Sequence, residues 1–142
     1  MLIQNGLVMD PGSGRQGKLD IRIRDGKIAA IGANLPVQAA EKVISAANCI
    51  VSPGFVDIHV HFRDPGFTHK EDLASGSRAA AAGGFTSAVC LANTKPAIHS
   101  PKLVEEFYAR AASKAIINLY TVGSVTRDLA GQELTDFAAL KE

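Results

Sequence analysis

Hydrophobic and polar positions follow two different periods along this chain, and the change falls at Pro53-Gly54. Before it the period is two. Leu19, Ile21 and Ile23 share one face of an extended segment, and Asp20, Arg22 and Arg24 share the other, the spacing of a half-buried strand. Asp25-Gly26 then turns the chain into residues 27–31, a hairpin signature because both turn positions take positive φ. Asn5-Gly6, between Leu2-Ile3-Gln4 and Leu7-Val8-Met9, carries the same signature and predicts an earlier hairpin. Residues 42–45 and 49–52 read as two further short strands around Asn48. Residues 1–52 are therefore expected to form a small antiparallel β-sheet domain of sandwich type.

After Pro53-Gly54 strands and helices alternate. Residues 55–62 read as a strand. A helix is expected from Thr68, where Thr68-His69-Lys70-Glu71 fits a capping box, to Gly83 as its C′ glycine. Residues 86–91 form an apolar strand. Ser100 then caps a helix with Pro101 at its first position, and Leu103, Val104, Phe107, Ala111 and Ala112 keep helical spacing. Residues 115–122 give a third strand and residues 133–142 a third helix. Repeated βα units demand a parallel sheet covered on both faces. Three strands cannot close a barrel, so residues 53–142 are expected to be the opening part of a (β/α)8 barrel, giving an α/β chain overall.

Composition narrows the class of function without naming it. The 142 residues are 46% hydrophobic and 20% charged, with net charge +1. Such a balance gives no reason to expect nucleic acid or an anionic membrane as partner. The first residues have no basic and apolar signal pattern, and the alanine-rich stretch at 79–92 is too short and interrupted to span a bilayer. Cys49 and Cys90 lie far apart and form no CxxC pair. They read as reduced, buried small hydrophobes of a cytoplasmic protein. There is no phosphate loop, nucleophile elbow or nicotinamide fingerprint.

The chemistry concentrates in Asp57-Ile58-His59-Val60-His61-Phe62-Arg63. On a strand, Phe55, Asp57, His59, His61 and Arg63 would share one face, and Val56, Ile58, Val60 and Phe62 an apolar face for covering helices. Histidines at i and i+2 have Cα atoms roughly 6.6 Å apart, so both imidazoles reach one metal ion at about 2.1 Å. A bare HxH is more often a pair of hydrogen-bonded core histidines. Here the strand follows a Pro-Gly break, is apolar on its other face, and opens onto Arg63-Asp64-Pro65-Gly66, as strands do at a barrel's active end. His59 and His61 are therefore candidate metal ligands. Arg63 at the mouth and Asn93 at the end of the second strand suit a substrate with carboxylate and amide groups. Taken singly, Arg63 reads as a rim ion pair with Asp64 or Glu71, and Asn93 as a turn residue before Pro96. Asp57 is a candidate to orient a ligand histidine or to pack the barrel floor. His69 and His99 sit at expected helix starts, as capping or solvated residues.

Three segments carry a family resemblance: Ser52-Pro53-Gly54-Phe55-Val56-Asp57-Ile58-His59-Val60-His61-Phe62-Arg63-Asp64-Pro65-Gly66, then Ala80-Ala81-Ala82-Gly83-Gly84-Phe85-Thr86, then Ala92-Asn93-Thr94-Lys95-Pro96. Together they resemble the bacterial type I dihydroorotase pattern within the amidohydrolase superfamily, and they cover roughly a third of a ~400-residue family enzyme. The resemblance implies a sheet domain followed by an amidohydrolase TIM barrel. It implies zinc ligation by His59 and His61, two zinc ions per full-length subunit, and substrate contact by His61, Arg63 and Asn93. The implied reaction is reversible hydrolysis of dihydroorotate to N-carbamoyl-aspartate, in pyrimidine synthesis. The remaining ligands, the bridging residue and the catalytic aspartate would fall after residue 142, so residues 1–142 alone are expected to be inactive. Rivals are a hydantoinase or allantoinase, and a metal-free homologue that scaffolds aspartate transcarbamoylase. Expected partners are the small-molecule substrate, further copies of the chain, or aspartate transcarbamoylase. Departures from the family pattern are Ser45-Ala46-Ala47-Asn48 before the strand, Asp64 for glutamate and Ala92 for proline.

Overall fold

The computed structural model describes residues 1–141. The chain divides into two compact units, Met1–Pro53 and Gly54–Glu142.

The first unit is one five-stranded sheet built from β1 (Leu2–Asp10), β2 (Arg15–Arg24), β3 (Lys27–Gly32), β4 (Val43–Ser45) and β5 (Ile50–Val51). Its order is β3-β2-β1-β4, with β5 also on β1. The Asp25-Gly26 hairpin forms as expected, with φ of 50° and 70°. The other expectations need correction. No hairpin forms at Asn5-Gly6, because β1 runs straight through and shifts register against β2 there. Asn5 takes the left-handed φ of 65°, and its N–H donates to Asp20 Oδ1 at 2.8 Å. A Cβ on Gly6 would lie 2.5 Å from Val51 Cγ2. The dipeptide marks a bulge and a close approach.

Nor is the sheet antiparallel throughout, or a sandwich among the described residues. Both β4 and β5 pair parallel to β1. The segment between β3 and β4 crosses over instead of turning back, and the polar side chains of β2 hold it. Asp20 accepts from Leu35 N at 2.9 Å, and Arg22 Nε donates to Glu41 Oε1 at 2.9 Å. Asp20 and Arg22 are consequently buried, beside Leu2, Val8, Ile21 and Ala46. The Arg22 hydrogen bond keeps the Glu41 carboxyl below its ordinary range. Cys49 is exposed rather than buried, because it precedes a two-residue edge strand that gives it no cover.

The second unit runs β6 (Phe55–Val60), α1 (Leu73–Ala82), β7 (Phe85–Cys90), α2 (Pro101–Lys114), β8 (Asn118–Thr121), a 3-10 turn (Arg127–Leu129) and α3 (Phe137–Lys141). Its strands pair in parallel, in the order β6-β7-β8. The start of α1 is four residues later than the Thr68 capping box would place it. Asp72 is the cap, accepting from Ser75 N at 2.7 Å, while Ser75 bonds back to Asp72 N. Thr68 belongs to a separate turn, with Lys70 N donating to Phe67 O. The helix ends at Gly83 as expected, but the left-handed residue is Gly84, with φ +85°. Ser100 precedes α2 with Pro101 at its first position, though its hydroxyl makes no capping bond. Of the expected helix at 133–142, residues 133–136 are not helical: Leu134 bridges to Thr126, and Arg127 N donates to Glu133 O. Glu142 lies outside the described residues.

Phe62, Leu73, Ala88, Cys90, Ile98, Phe107, Ala111 and Leu119 form the core of this unit. Burying Leu73 and Phe107 stabilises it by about 1.5–3 kcal/mol each. A Cβ on Gly76 would meet the Phe62 ring at 2.6 Å, so α1 lies directly on that ring. Phe62 lies two residues past the end of β6. Val56 and Ile58 are 60% and 76% exposed, against the expectation of a fully covered apolar face, because β6 is an edge strand with one neighbour. Among the described residues no helix is long and apolar enough to cross a membrane.

Candidate functional site

Parallel pairing puts the C-terminal ends of β6 and β7 side by side, and the candidate residues cluster there. Leu91 N donates to Val60 O at 2.9 Å, which aligns the two strand ends. His59 is the last residue but one of β6, and His61 follows the strand. Their rings meet edge to face, with centroids 5.1 Å apart. Two imidazoles sharing one tetrahedral ion at about 2.1 Å place their centroids about 5 Å apart. His61 Nδ1 lies 3.0 Å from Asn93 Oδ1, on the loop after β7. Thus three of the four candidate residues stand together, from positions 32 residues apart in the chain.

The donors fit a zinc ion as far as they go: two imidazoles at the spacing of a shared ion, both exposed on one side of the strand end. Among the described residues no group of three or more His, Cys, Asp or Glu converges to hold a metal.

Asp57 does not serve either imidazole. It accepts from the backbone of His59 at 2.9 Å, at a register irregularity between Asp57 and Val60, and shares a shallow cleft with Val60, Phe62 and Ala80 on the α1 side. The strict alternation read from the sequence is broken there. Arg63 is not on the strand at all. Three residues past the end of β6, it takes a left-handed φ of 59°, rare for a residue with a Cβ. No carboxylate lies within ion-pair distance of its guanidinium among the described residues. Of the two rim partners suggested for it, Glu71 accepts from Asp72 N at 3.1 Å, and Asp64 is buried and bonded to Lys114 Nζ at 3.0 Å. Asp64 is thereby the anchor of the Arg63 loop, a role its sequence position did not reveal. His69 is exposed in a turn, and His99 faces Asp128 at 3.4 Å. Neither joins the pair.

The two loops are fastened to each other. Lys95 N donates to Pro65 O at 3.0 Å across them, and within the second loop Thr94 Oγ1 donates to Pro96 O at 2.7 Å. Cys90, at the end of β7, has its thiol pushed up to about 12 by burial. It stays protonated and offers no nucleophile.

The Dihydro-orotase-like family matches residues 48–142, two thirds of the chain. This chain belongs to the dihydro-orotase-like family. It is 49% identical over 140 residues to the dihydroorotase of Lactococcus lactis subsp. lactis and 48% identical over 142 residues to that of Streptococcus pneumoniae serotype 4. The alignments take in 99% and 100% of the chain but 33% of each relative, so the chain spans about a third of the curated relatives it matches. Solved structures with the same arrangement include L-hydantoinase from Arthrobacter aurescens, at TM-score 0.79 and 28% identity, covering 88% of this chain and 28% of that one. A D-hydantoinase aligns at TM-score 0.73 and 33% identity, covering 90% and 28%. Members of the dihydro-orotase-like family and these neighbours bear the names of cyclic amide hydrolases.

Proposed function

We propose that the protein to which this chain belongs is a zinc-dependent dihydroorotase, catalysing reversible hydrolysis of dihydroorotate to N-carbamoyl-aspartate in pyrimidine synthesis. The observation that carries the reading is the convergence of His59, His61 and Asn93 at one end of a parallel sheet, in a chain 42–49% identical to several dihydroorotases. On this reading the second unit is the opening part of a (β/α)8 barrel, whose active end is the C-terminal end of its strands.

His59 and His61 would supply two ligands to the metal site. When bound, zinc supplies a hydroxide at neutral pH and polarises the scissile amide carbonyl. The chain's own residues do the rest of what residues 1–142 contribute. Arg63, with no carboxylate partner among the described residues, offers its planar fork to the substrate carboxylate. Asn93 offers its amide N–H groups to the same anion. Fixing the carboxylate at two points sets the ring amide in attack geometry. A catalytic zinc takes three protein ligands and a water, and the described residues bring two, so this chain by itself is proposed to be inactive.

The experiment is metal analysis of the full-length protein. Zinc content by atomic absorption and dihydroorotate hydrolysis should fall together in the His59→Ala, His61→Ala double variant. Unchanged zinc stoichiometry would overturn the metal assignment, and hydantoin turnover in place of dihydroorotate turnover would overturn the substrate.

A further inference from the structure

The geometry points to Asn93 as a positioning residue of the zinc site: its side-chain oxygen fixes the tautomer of His61, so that this histidine ligates through Nε2. The inference rests on the zinc reading above and goes beyond the substrate contact assigned there to the asparagine.

An amide oxygen accepts hydrogen bonds and cannot donate them. Asn93 Oδ1 stands 3.0 Å from His61 Nδ1, and a hydrogen bond between these two atoms requires the single proton of a neutral imidazole to be on Nδ1. The lone pair is then on Nε2. A metal takes an imidazole only through an unprotonated nitrogen, and the partner of the other nitrogen decides which one that is. The reversed amide would do the opposite: its NH2 would donate to Nδ1 and leave the proton on Nε2.

Asn93 is well held for this task. Its neighbours Ala92 and Thr94 are buried at 5% and 9% exposure. Ile98 N bonds to Ala92 O, Thr94 Oγ1 to Pro96 O, and Lys95 N to Pro65 O. Every residue flanking the asparagine is thus fixed by a bond that does not involve its side chain. The Asn93 side chain itself makes no bond to nearby backbone among the described residues, as a mere turn asparagine would. Its oxygen is engaged by His61, and its two N–H groups remain available for an anion. One side chain would then face the metal ligand with its acceptor and the substrate carboxylate with its donors.

The test uses the full-length protein, stripped of metal and titrated with zinc alone against a chromophoric chelator. Asn93→Ala should weaken zinc binding about 10–100-fold, the usual effect of losing the partner of a ligand histidine. Asn93→Asp keeps an acceptor at the same place and should restore the affinity. It should still raise KM for dihydroorotate, since it removes the donors and sets a carboxylate against a carboxylate. Long-range 1H–15N spectra of the zinc-free protein should show His61 protonated on Nδ1 in wild type and in Asn93→Asp. Wild-type His61 protonated on Nε2, or an Asn93→Ala protein that binds zinc as tightly as wild type, would overturn the inference. Should His61→Ala also leave zinc binding unchanged, it is the zinc reading that has failed.

Discussion

Gly66 lies so close to Lys95 that a Cβ on the glycine would stand 2.3 Å from the Lys95 carbonyl oxygen. The two residues belong to the loops after β6 and β7, one carrying Arg63 and the other Asn93. Their contact, with the Pro65–Lys95 hydrogen bond at 3.0 Å, sets the distance between the two candidate substrate contacts.

Gly66→Ala should therefore separate the loops. The obstacle is backbone, which cannot swing aside as a side chain can, and the φ of +95° strains any residue with a Cβ. A loss of about 2–4 kcal/mol is expected, seen as a lower thermal midpoint. The His61 to Asn93 bond should weaken with it, so kcat/KM falls further than stability alone explains. Wild-type stability and kinetics in this variant would show that the loops are not coupled.

Asp64 is 2% exposed, and its partner Lys114 has a side chain 43% exposed. Removing the lysine strands a buried carboxylate. Lys114→Met should cost about 1–3 kcal/mol, the lower part of that range because water still reaches the lysine end. Asp64→Asn in the same background should recover most of the loss. A double variant no more stable than Lys114→Met would mean that the charge on Asp64 is not what the lysine satisfies.

On the proposed function, Arg63→Lys keeps the charge but loses the two-pronged geometry. We expect kcat/KM for dihydroorotate to fall by at least about tenfold, roughly 1.4 kcal/mol of lost stabilisation, with zinc content retained. Equal kinetics for the two proteins would remove Arg63 from the substrate site.

Asp72 holds the first turn of α1, and its bonds to Ser75 keep its carboxyl below the ordinary 3.8. A depressed folded-state value means the cap contributes in full above 3.8 and fades as pH falls through the lower, folded value. The stability gap between wild type and Asp72→Ala should be constant near neutral pH and narrow below 3.8. A gap independent of pH down to acid unfolding would show that the charge on Asp72 does not contribute.

Much of this was legible in one dimension. A two-residue period marks β2, and Asp25-Gly26 specifies its hairpin, because both depend on the local φ preference of neighbouring residues. Pro101 marks the start of α2 for the same reason. The HxH spacing brings His59 and His61 together because both lie within a few residues on one strand end. Asn5-Gly6 announced a positive φ correctly and the wrong element, since a bulge and a hairpin ask the same of the backbone. What separates them is the approach of Val51 to Gly6, a contact across the sheet.

By itself, then, the sequence determined the periodicities, the switch to βα units at Pro53-Gly54, and the pair of imidazoles, all short-range consequences of side-chain size, φ preference and spacing. The tertiary structure alone decided that β4 and β5 run parallel to β1, that Lys114 rather than Arg63 answers Asp64, and that Asn93 meets His61. Each of those pairings joins residues about 32 to 50 positions apart, and nothing local selects among the partners a chain of this length offers. For Asp64 the choice is made by burial, which leaves its carboxylate Lys114 as partner; for His61 and Asn93 it is made by parallel pairing, which sets the ends of β6 and β7 side by side.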